Sequence, residues 1–425
     1  MHKLNEDLLQ FIWQNKIIGK TKFYSVNNTE IEILNFGTRN NDSGPDFFNG
    51  KIKLNNIVFA GNIELHVKTS DWNKHKHDKD TAYNNIILHV VYEHDKVIEQ
   101  NIYNSVEVIE LKKFISEDVI NSYQNLINSK NKLPCTKLLP EVNSLKFSIW
   151  LQRLCVERLE NKTVYLKNLF KENNYDFHQT FYAILLRSFG FKTNALPFEL
   201  LAKHLPLNIV LKHSDNLFQL ECLVLGTAGF LDETFKNSYS TQLSNEFAYL
   251  QKKYNLIPLN KKIFKFSKMR PSNFPTLRLA QFAAFFHQYF FMISDVERYQ
   301  DIKNILDFDT SLYWQQHYSL HDDNSTLKLK FGKESKNKII INALAPFLFF
   351  YSKTTNKQHL SAAAFKLLES CEWENNQKTK YFLSQKNVLK SAIESQAIIH
   401  LYDNYCLNRK CLTCVVGTEI LKKSI

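Results

Sequence analysis

Up to about residue 112 the apolar residues alternate at every second position; from about residue 115 they recur at every third or fourth. Alternation is the period of a strand with one buried face, and the longer spacing is that of a helix packed along a stripe. A chain that carries the two patterns in this order folds as a sheet-bearing unit followed by a helical one. The fold class expected is therefore α+β. A small α/β domain with a mixed sheet of about five strands occupies residues 1–112, and a large, mostly helical domain occupies 113–395. A C-terminal helix and cysteine knuckle, 396–425, packs on the helical domain. Gly and Pro number only 10 and 9 in 425 residues, which permits long helices and disfavours a turn-rich all-β chain.

The spacing of Leu4, Leu8, Phe11 and Ile12 predicts an amphipathic helix that ends near Gly19. "TEIEILNF" alternates Ile31 and Ile33 against Glu32 and Leu34. "GKIKLNN" and "VFAGNIELHVK" follow as strands joined at Asn55-Asn56. "NNIILHVVYEHD" is nearly apolar on both faces and reads as a central strand, with "NSVEVIEL" as a further one. Downstream, Ser144 is the expected N-cap of a helix whose stripe runs through Ile149, Leu154 and Leu159. The polar stretch 322–342 reads as a hairpin or a mobile insertion.

Several classes are disfavoured. The richest apolar stretches are broken by Gln281, His287 or Pro346, and no run reaches the ~18 residues of a membrane span. The first twenty residues carry acidic groups where a signal peptide needs an unbroken apolar core. Seven cysteines, an odd count, fit a reducing cytoplasm. The net charge of +12 would attract phosphate backbones and anionic membranes alike; nucleic acid is the partner expected, and no membrane. It says nothing of oligomeric state.

The chemistry concentrates in "GNIELHVKTSDWNKHKHDKD", residues 61–80. In the strand at its start, Ile63, Leu65 and Val67 share one face and Glu64, His66 and Lys68 the other. Asp46, after Gly-Pro at the mouth of the preceding strand, lies where it can meet Glu64. Two carboxylates so placed suit Mg²⁺ or Mn²⁺, and His66 or Lys68 would orient water or stabilise charge. The acids and histidines that follow, Asp71, His75, His77 and Asp80, are secondary candidates. His75, His77 and Asp80 have zinc or manganese ligand types, yet the lysine-flanked run reads first as a solvated loop. Trp72 is read as core and His89 as a structural histidine.

This constellation resembles the core of the PD-(D/E)XK nuclease superfamily, with "PD" as Pro45-Asp46 and "ExK" as Glu64-Leu65-His66, the lysine replaced by histidine. The resemblance implies that Asp46 and Glu64 hold the metal for attack on a phosphodiester. The rival reading is a non-catalytic nucleic-acid or protein adaptor on a degenerate nuclease fold. The stretches "NFGTRNNDSGPDFFNGKI", "RPSNFPTLRLAQFA" and "SQAIIHLYDNYCLNRKCLTCVVGTEIL", with the histidine run, are similar to a bacterial family known as domain-of-unknown-function family 2851, which implies no activity.

Two other features carry chemistry. Cys406, Cys411 and Cys414 form a metal-knuckle pattern in need of a fourth ligand, either His400 or Cys135. Zinc is the expected metal and an iron–sulfur cluster the alternative; some nucleases of the PD-(D/E)XK superfamily build such a cluster from three C-terminal cysteines and one upstream. Cys155, Cys222 and Cys371 fall in apolar helical patterns. Lys265, Lys268 and Arg270, interleaved with aromatic residues, are the candidate nucleic-acid-binding residues, whereas Arg278 opens an apolar helix and is expected to be structural.

Overall fold

In the computed structural model, residues 4–98, 106–291, 306–321, 329–384 and 389–424 are described. The chain forms two compact units. The first contains Met1–Trp150, Lys380–Asn387 and Leu401–Ile425; the second contains Leu151–Thr379 and Val388–His400. The cysteine knuckle therefore belongs with the sheet and not with the helical domain, as its sequence position had suggested.

The sheet of the first unit has seven strands: β1 (Lys22–Tyr24), β2 (Glu30–Asn35), β3 (Thr38–Arg39), β4 (Phe47–Leu54), β5 (Ile57–Lys68), β6 (Ile86–Glu93) and β7 (Glu107–Glu110). Their order is β1-β2-β4-β5-β6-β7, with β3 also paired to β4. The pairs up to β4–β5 are antiparallel, whereas β5–β6 and β6–β7 are parallel. Asn55 and Asn56, at φ 46° and 70°, close the β4–β5 hairpin, as two-residue turns with both φ values positive require. The expected strands are all present; the short β1 and β3 are additional.

Strand β6 is interior but next to the edge strand β7, not at the middle of the sheet; its two apolar faces are nevertheless covered, with Leu88, His89, Val90 and Val91 fully buried. In β5 both faces are covered. Ile63 and Leu65 lie in the core as expected, but Glu64 and His66 are buried as well, at 4% and 1% exposure. The cover on one side includes helix α1 (Glu6–Gln14), which packs on β5. Asn5 caps α1 by accepting the Leu8 N–H at 3.1 Å, and Leu8, Leu9, Phe11, Ile12 and Trp13 are its buried residues.

Gly61 marks the point where β5 gains its parallel neighbour. A Cβ there would lie 2.5 Å from Ile87 Cγ2 and 2.6 Å from the Asn85 carbonyl oxygen, in the segment whose carbonyl accepts the Asn62 N–H at 2.8 Å. Gly61→Ala is thus expected to lose about 1–3 kcal/mol, the usual cost of forcing extra volume into a packed site. A urea midpoint unchanged from wild type would refute this.

The second unit is helical, with Phe177–Phe189, Phe191–His204, Leu217–Thr227, Ser238–Tyr254 and Pro275–Tyr289 among its helices. Asn143, not Ser144, caps the helix Ser144–Glu172; its Oδ1 accepts the N–H groups of Leu145 and Lys146 at 3.0 and 3.1 Å. Leu154 and Leu159 are buried, but Ile149 is exposed and lies off the buried stripe. In the stretch expected to form a hairpin, residues 322–328 lie outside the described residues and Lys333–Ile339 is helical. Among the described residues no helix is long and apolar enough to cross a membrane.

Candidate metal centre

Antiparallel pairing of Phe47 with Ile63 brings Asp46, one residue before β4, alongside Glu64 of β5. The two acids meet. The Asp46 N–H donates to Glu64 Oε2 at 3.0 Å, and Asp46 Oδ2 accepts the Leu65 N–H at 3.1 Å. Helix α1 contributes Gln10, whose Nε2 donates to Asp46 Oδ1 at 2.7 Å. Gln10 is itself oriented by Arg39, whose Nη2 donates to Gln10 Oε1 at 2.8 Å. This Arg39–Gln10–Asp46 relay was not legible in the sequence, because Gln10 is a lone polar residue in a helical pattern.

The histidines converge from three elements. Parallel pairing of Glu64 with His89 sets β6 beside β5, and His66 Nδ1 lies 2.9 Å from His89 Nε2. His66 Nε2 is 3.1 Å from His75 Nδ1 and 3.3 Å from His77 Nε2. Glu64 Oε1 is 3.3 Å from His77 Nε2 and 3.6 Å from His66 Nε2. One ligand nitrogen from each of His66, His75 and His77 falls within 4.8 Å of the others. The three nitrogens meet although His75 is exposed, as a solvated loop would leave it; His77 is half-buried and drawn toward the sheet. His75 ends the short helix Asp71–Lys74 and His77 begins a 3₁₀ turn, while Lys76 between them takes φ 60° and folds the chain back. Trp72 fixes the loop from inside, 1% exposed, its ring 5.3 Å from His77 and 5.4 Å from His89. Tyr83 stacks on His77 at 3.8 Å.

The remaining candidates are used elsewhere. Asp80 caps a turn by accepting the Ala82 N–H at 2.9 Å. Asp71 accepts the Lys68 N–H at 3.0 Å and pairs with Lys74. The Lys68 ammonium lies 3.9 Å from Glu93 and 4.0 Å from Asp95, so it is engaged at the end of the strand and not with the acid pair. Lys68→Ala is accordingly expected to leave metal affinity and any hydrolysis within about twofold of wild type, since exposed ion pairs contribute little. A loss as large as that from removing an acid would restore Lys68 to the centre.

Burial dominates the electrostatics. It pushes Glu64 up to about 8 and Asp46 up to about 7, the latter also repelled by the Glu64 charge. Burial holds His66 down to about 2 and His89 to about 3, and lowers His77. Protonated acids and bare imidazole nitrogens thus face one another at one point. Such a donor set fits a divalent cation, whose charge would allow the acids to ionise and would occupy the nitrogen lone pairs. Imidazole with carboxylate suits Mn²⁺ and its transition-metal neighbours better than Mg²⁺. His89 has the place of an outer partner: when His66 Nδ1–H donates to it, His66 Nε2 is left free for a metal.

In the second unit Lys265, Lys268 and Arg270 are exposed, so all three are accessible to a polyanion. Arg278 is buried as expected. It donates to Gln281 at 2.8 Å and Asn273 at 2.6 Å, and stacks 4.4 Å over Phe191. His400 lies 3.4 Å from Glu157, and Cys155, Cys222 and Cys371 are core residues.

Fold and site together define an α+β protein with a partly buried histidine–carboxylate cluster where its sheet changes from antiparallel to parallel pairing. A family described as "Protein of unknown function (DUF2851)" matches residues 6–377, and the chain belongs to that family. The match includes every residue of the centre, while "SQAIIHLYDNYCLNRKC" lies beyond it. No curated protein and no solved structure matches the chain.

Proposed function

We propose that this chain is a metal-dependent hydrolase of the nuclease type, acting on phosphodiester bonds, with Mn²⁺ as its preferred metal over Mg²⁺. The observation that carries the reading is the convergence of Asp46, Glu64, His66, His75 and His77. The order of elements supports it: a helix, an antiparallel meander, a short helical connection and a parallel strand, with Pro45-Asp46 and Glu64-x-His66 where the PD-(D/E)XK core carries its motif. The charge of +12 and the exposed Lys265, Lys268 and Arg270 suit a polyanionic substrate. Seven free thiols suit a reducing, cytoplasmic setting.

Glu64, His66, His75 and His77 would hold the cation, with Asp46 beside them. A divalent ion supplies Lewis acidity toward a phosphoryl oxygen and toward water. The protein's own part is positional. Gln10 and the Leu65 N–H fix both oxygens of Asp46, the Asp46 N–H fixes Glu64, and His89 fixes the tautomer of His66. Asp46 ionises near neutrality, so it can accept a proton from an attacking water.

The test uses the full chain with labelled single- and double-stranded DNA and RNA, with Mn²⁺, Mg²⁺ or chelator. Cleavage of at least one substrate that requires Mn²⁺ is expected, together with nucleic-acid binding that weakens as salt rises. Tight Mn²⁺ binding with every substrate left intact would reject hydrolysis and favour the adaptor reading.

A further inference from the structure

The loop that leads from β3 to the acid pair, residues 40–45, is braced from within. Asn40 Oδ1 accepts the Asp42 N–H at 2.9 Å, and Asn40 Nδ2 donates to the Ser43 and Pro45 carbonyls, each at 3.1 Å. The Asn40 N–H donates to the Asp46 carbonyl at 2.8 Å, and Arg39 pairs with Phe47 in the β3–β4 ladder. Backbone and Asn40 thus fix Arg39 and Asp46 at the two ends of one loop. None of these bonds uses the Arg39 side chain.

A guanidinium carries five N–H donors and keeps its charge throughout the range in which proteins work. Arg39 is half-buried, and its one hydrogen bond among the described residues runs from Nη2 to Gln10 Oε1 at 2.8 Å. Its Nε is buried and has no partner. Among the described residues it pairs with no carboxylate and lies over no aromatic ring. Other arginines of the chain are occupied. Arg187 pairs with Glu199 and lies over the Tyr165 ring. Arg278 also leaves its Nε unpaired, but it donates to Gln281, Asn273 and Ser335 and lies over Phe191. A charge kept partly out of water with most of its donors idle is costly, and a bound oxyanion offsets that cost.

Gln10 ties this guanidinium to the acid pair. Its amide oxygen accepts from Arg39, and its amide nitrogen donates to Asp46 Oδ1 at 2.7 Å. The oxygen and nitrogen of an amide are about 2.3 Å apart, so Arg39 Nη2 lies within about 8 Å of Asp46 Oδ1. A phosphate held at the centre is therefore in reach of Arg39. Lys68 supplies no cation there, being engaged with Glu93 and Asp95. We propose that Arg39 is a substrate-binding residue of the centre, donating its spare N–H groups to the non-bridging oxygens of the phosphodiester, with Gln10 setting its position. Nε–H and an Nη N–H lie side by side and match two oxygens of one phosphate, which an ammonium cannot do. The inference rests on the phosphodiester reading of the centre and names the residue that recognises the phosphate.

The test is calorimetric titration of the full chain, in chelator at pH 6, with inorganic phosphate and, at matched ionic strength, with acetate. Wild type is expected to bind phosphate in preference to acetate. Arg39→Gln should bind phosphate at least about tenfold more weakly, Arg39→Lys should fall between, and Lys22→Gln, on the exposed strand β1, should match wild type. Mn²⁺ affinity of Arg39→Gln should stay within about twofold of wild type, which a mere support for Gln10 and Asp46 would not allow. The inference is overturned by a wild type that binds no phosphate or binds acetate as tightly. It is equally overturned by Arg39→Gln with wild-type phosphate affinity, or with Mn²⁺ affinity lowered as far as its phosphate affinity. Should Arg39→Gln not fold, labelling of wild-type Arg39 by phenylglyoxal, read by mass spectrometry, decides: phosphate must slow it, and an unchanged rate rejects the proposal. None of these measurements needs cleavage. A chain that hydrolyses nothing yet binds phosphate through Arg39 loses the hydrolase reading alone, whereas cleavage by Arg39→Gln at wild-type kcat and KM rejects Arg39 alone.

Discussion

Glu64→Gln is expected to reduce Mn²⁺ affinity and Mn²⁺-dependent cleavage by at least about 100-fold, the upper range seen for residues one step removed from a metal. The same substitution is expected to make the metal-free protein more stable above pH 8. Both results follow from one arrangement. Glu64 Oε2 accepts the Asp46 N–H at 3.0 Å, a bond that an amide oxygen can also make. On the other side, Glu64 Oε1 is 3.3 Å from His77 Nε2. Burial lowers His77 against the pull of the nearby carboxylates, and to the neutral ring an amide NH₂ can donate at that nitrogen. Glutamine therefore fits the hydrogen-bond pattern of the empty site while removing a charge that burial opposes. At about 2.1 cal/mol/K per residue, a 425-residue chain gains about 1 °C in Tm per kcal/mol, an increase that calorimetry at pH 9 in chelator resolves. Full cleavage by Glu64→Gln would remove the acid from the centre. A lower Tm at pH 9 would show that the buried acid is not strained by its charge.

His89→Leu separates positioning from ligation. The His89 ring is fully buried, and its Nε2 lies 2.9 Å from His66 Nδ1. The substitution leaves all three candidate histidine ligands in place and removes the partner that orients one of them. Metal affinity is expected to fall about 10–100-fold, in line with other outer-sphere losses. Titration of Mn²⁺ by calorimetry would measure this, and an unchanged affinity would mean that His66 is oriented without His89.

The two hydrophobic periods were enough to read the α+β class, the main strands along the chain and the burial of β6 on both faces, though β6 lies next to the sheet edge and not at its middle. The partnership of Asp46 and Glu64 was also legible, because a residue at the mouth of one strand and a residue on the next are neighbours across a hairpin. The histidine cluster was not. A run such as "NKHKHDKD" has the composition of a wet loop, and its convergence depends on one left-handed residue, Lys76, and on Trp72 turned inward. Strand alternation also placed Glu64, His66 and Lys68 on one face with equal standing. Their different fates arise from what lies over that face: α1 and the histidine loop cover the first two, while Lys68 reaches Glu93 and Asp95 at the open end. The domain assignment of the cysteine knuckle failed for a similar reason. Proximity in sequence to a helical run says nothing about contacts such as that of Arg409 with Ser129.

Stability of the metal-free protein is expected to fall on both sides of a maximum between about pH 4 and 6.5, and Mn²⁺ is expected to remove the alkaline fall. Folding raises Asp46 from 3.8 to about 7 and Glu64 from 4.5 to about 8. The folded protein keeps those protons where the unfolded chain has released them. Their contribution is thus full below the unfolded values and is lost as pH rises through the folded ones. The loss approaches about 1.4 kcal/mol per pH unit for each acid while the two states differ by a whole proton. The histidines act in the opposite sense. His66 and His89 fall from 6.5 to about 2 and about 3, so the unfolded chain takes up protons that the folded one refuses. Their contribution is present above pH 6.5 and is lost as pH falls toward those values. Between pH 7 and 8 the histidines are neutral in both states and only the acids contribute to the slope. There Mn²⁺ replaces the retained protons, and its stabilisation grows as RT ln(1 + [Mn²⁺]/Kd), with Kd itself falling as pH rises. Melting curves from pH 4 to 9, with chelator and with Mn²⁺, should diverge steadily above pH 6. Calorimetric titration in buffers of different ionisation enthalpy should show proton release on metal binding at pH 6.5. Parallel curves, or binding without proton release, would mean that the buried acids do not share their site with the metal.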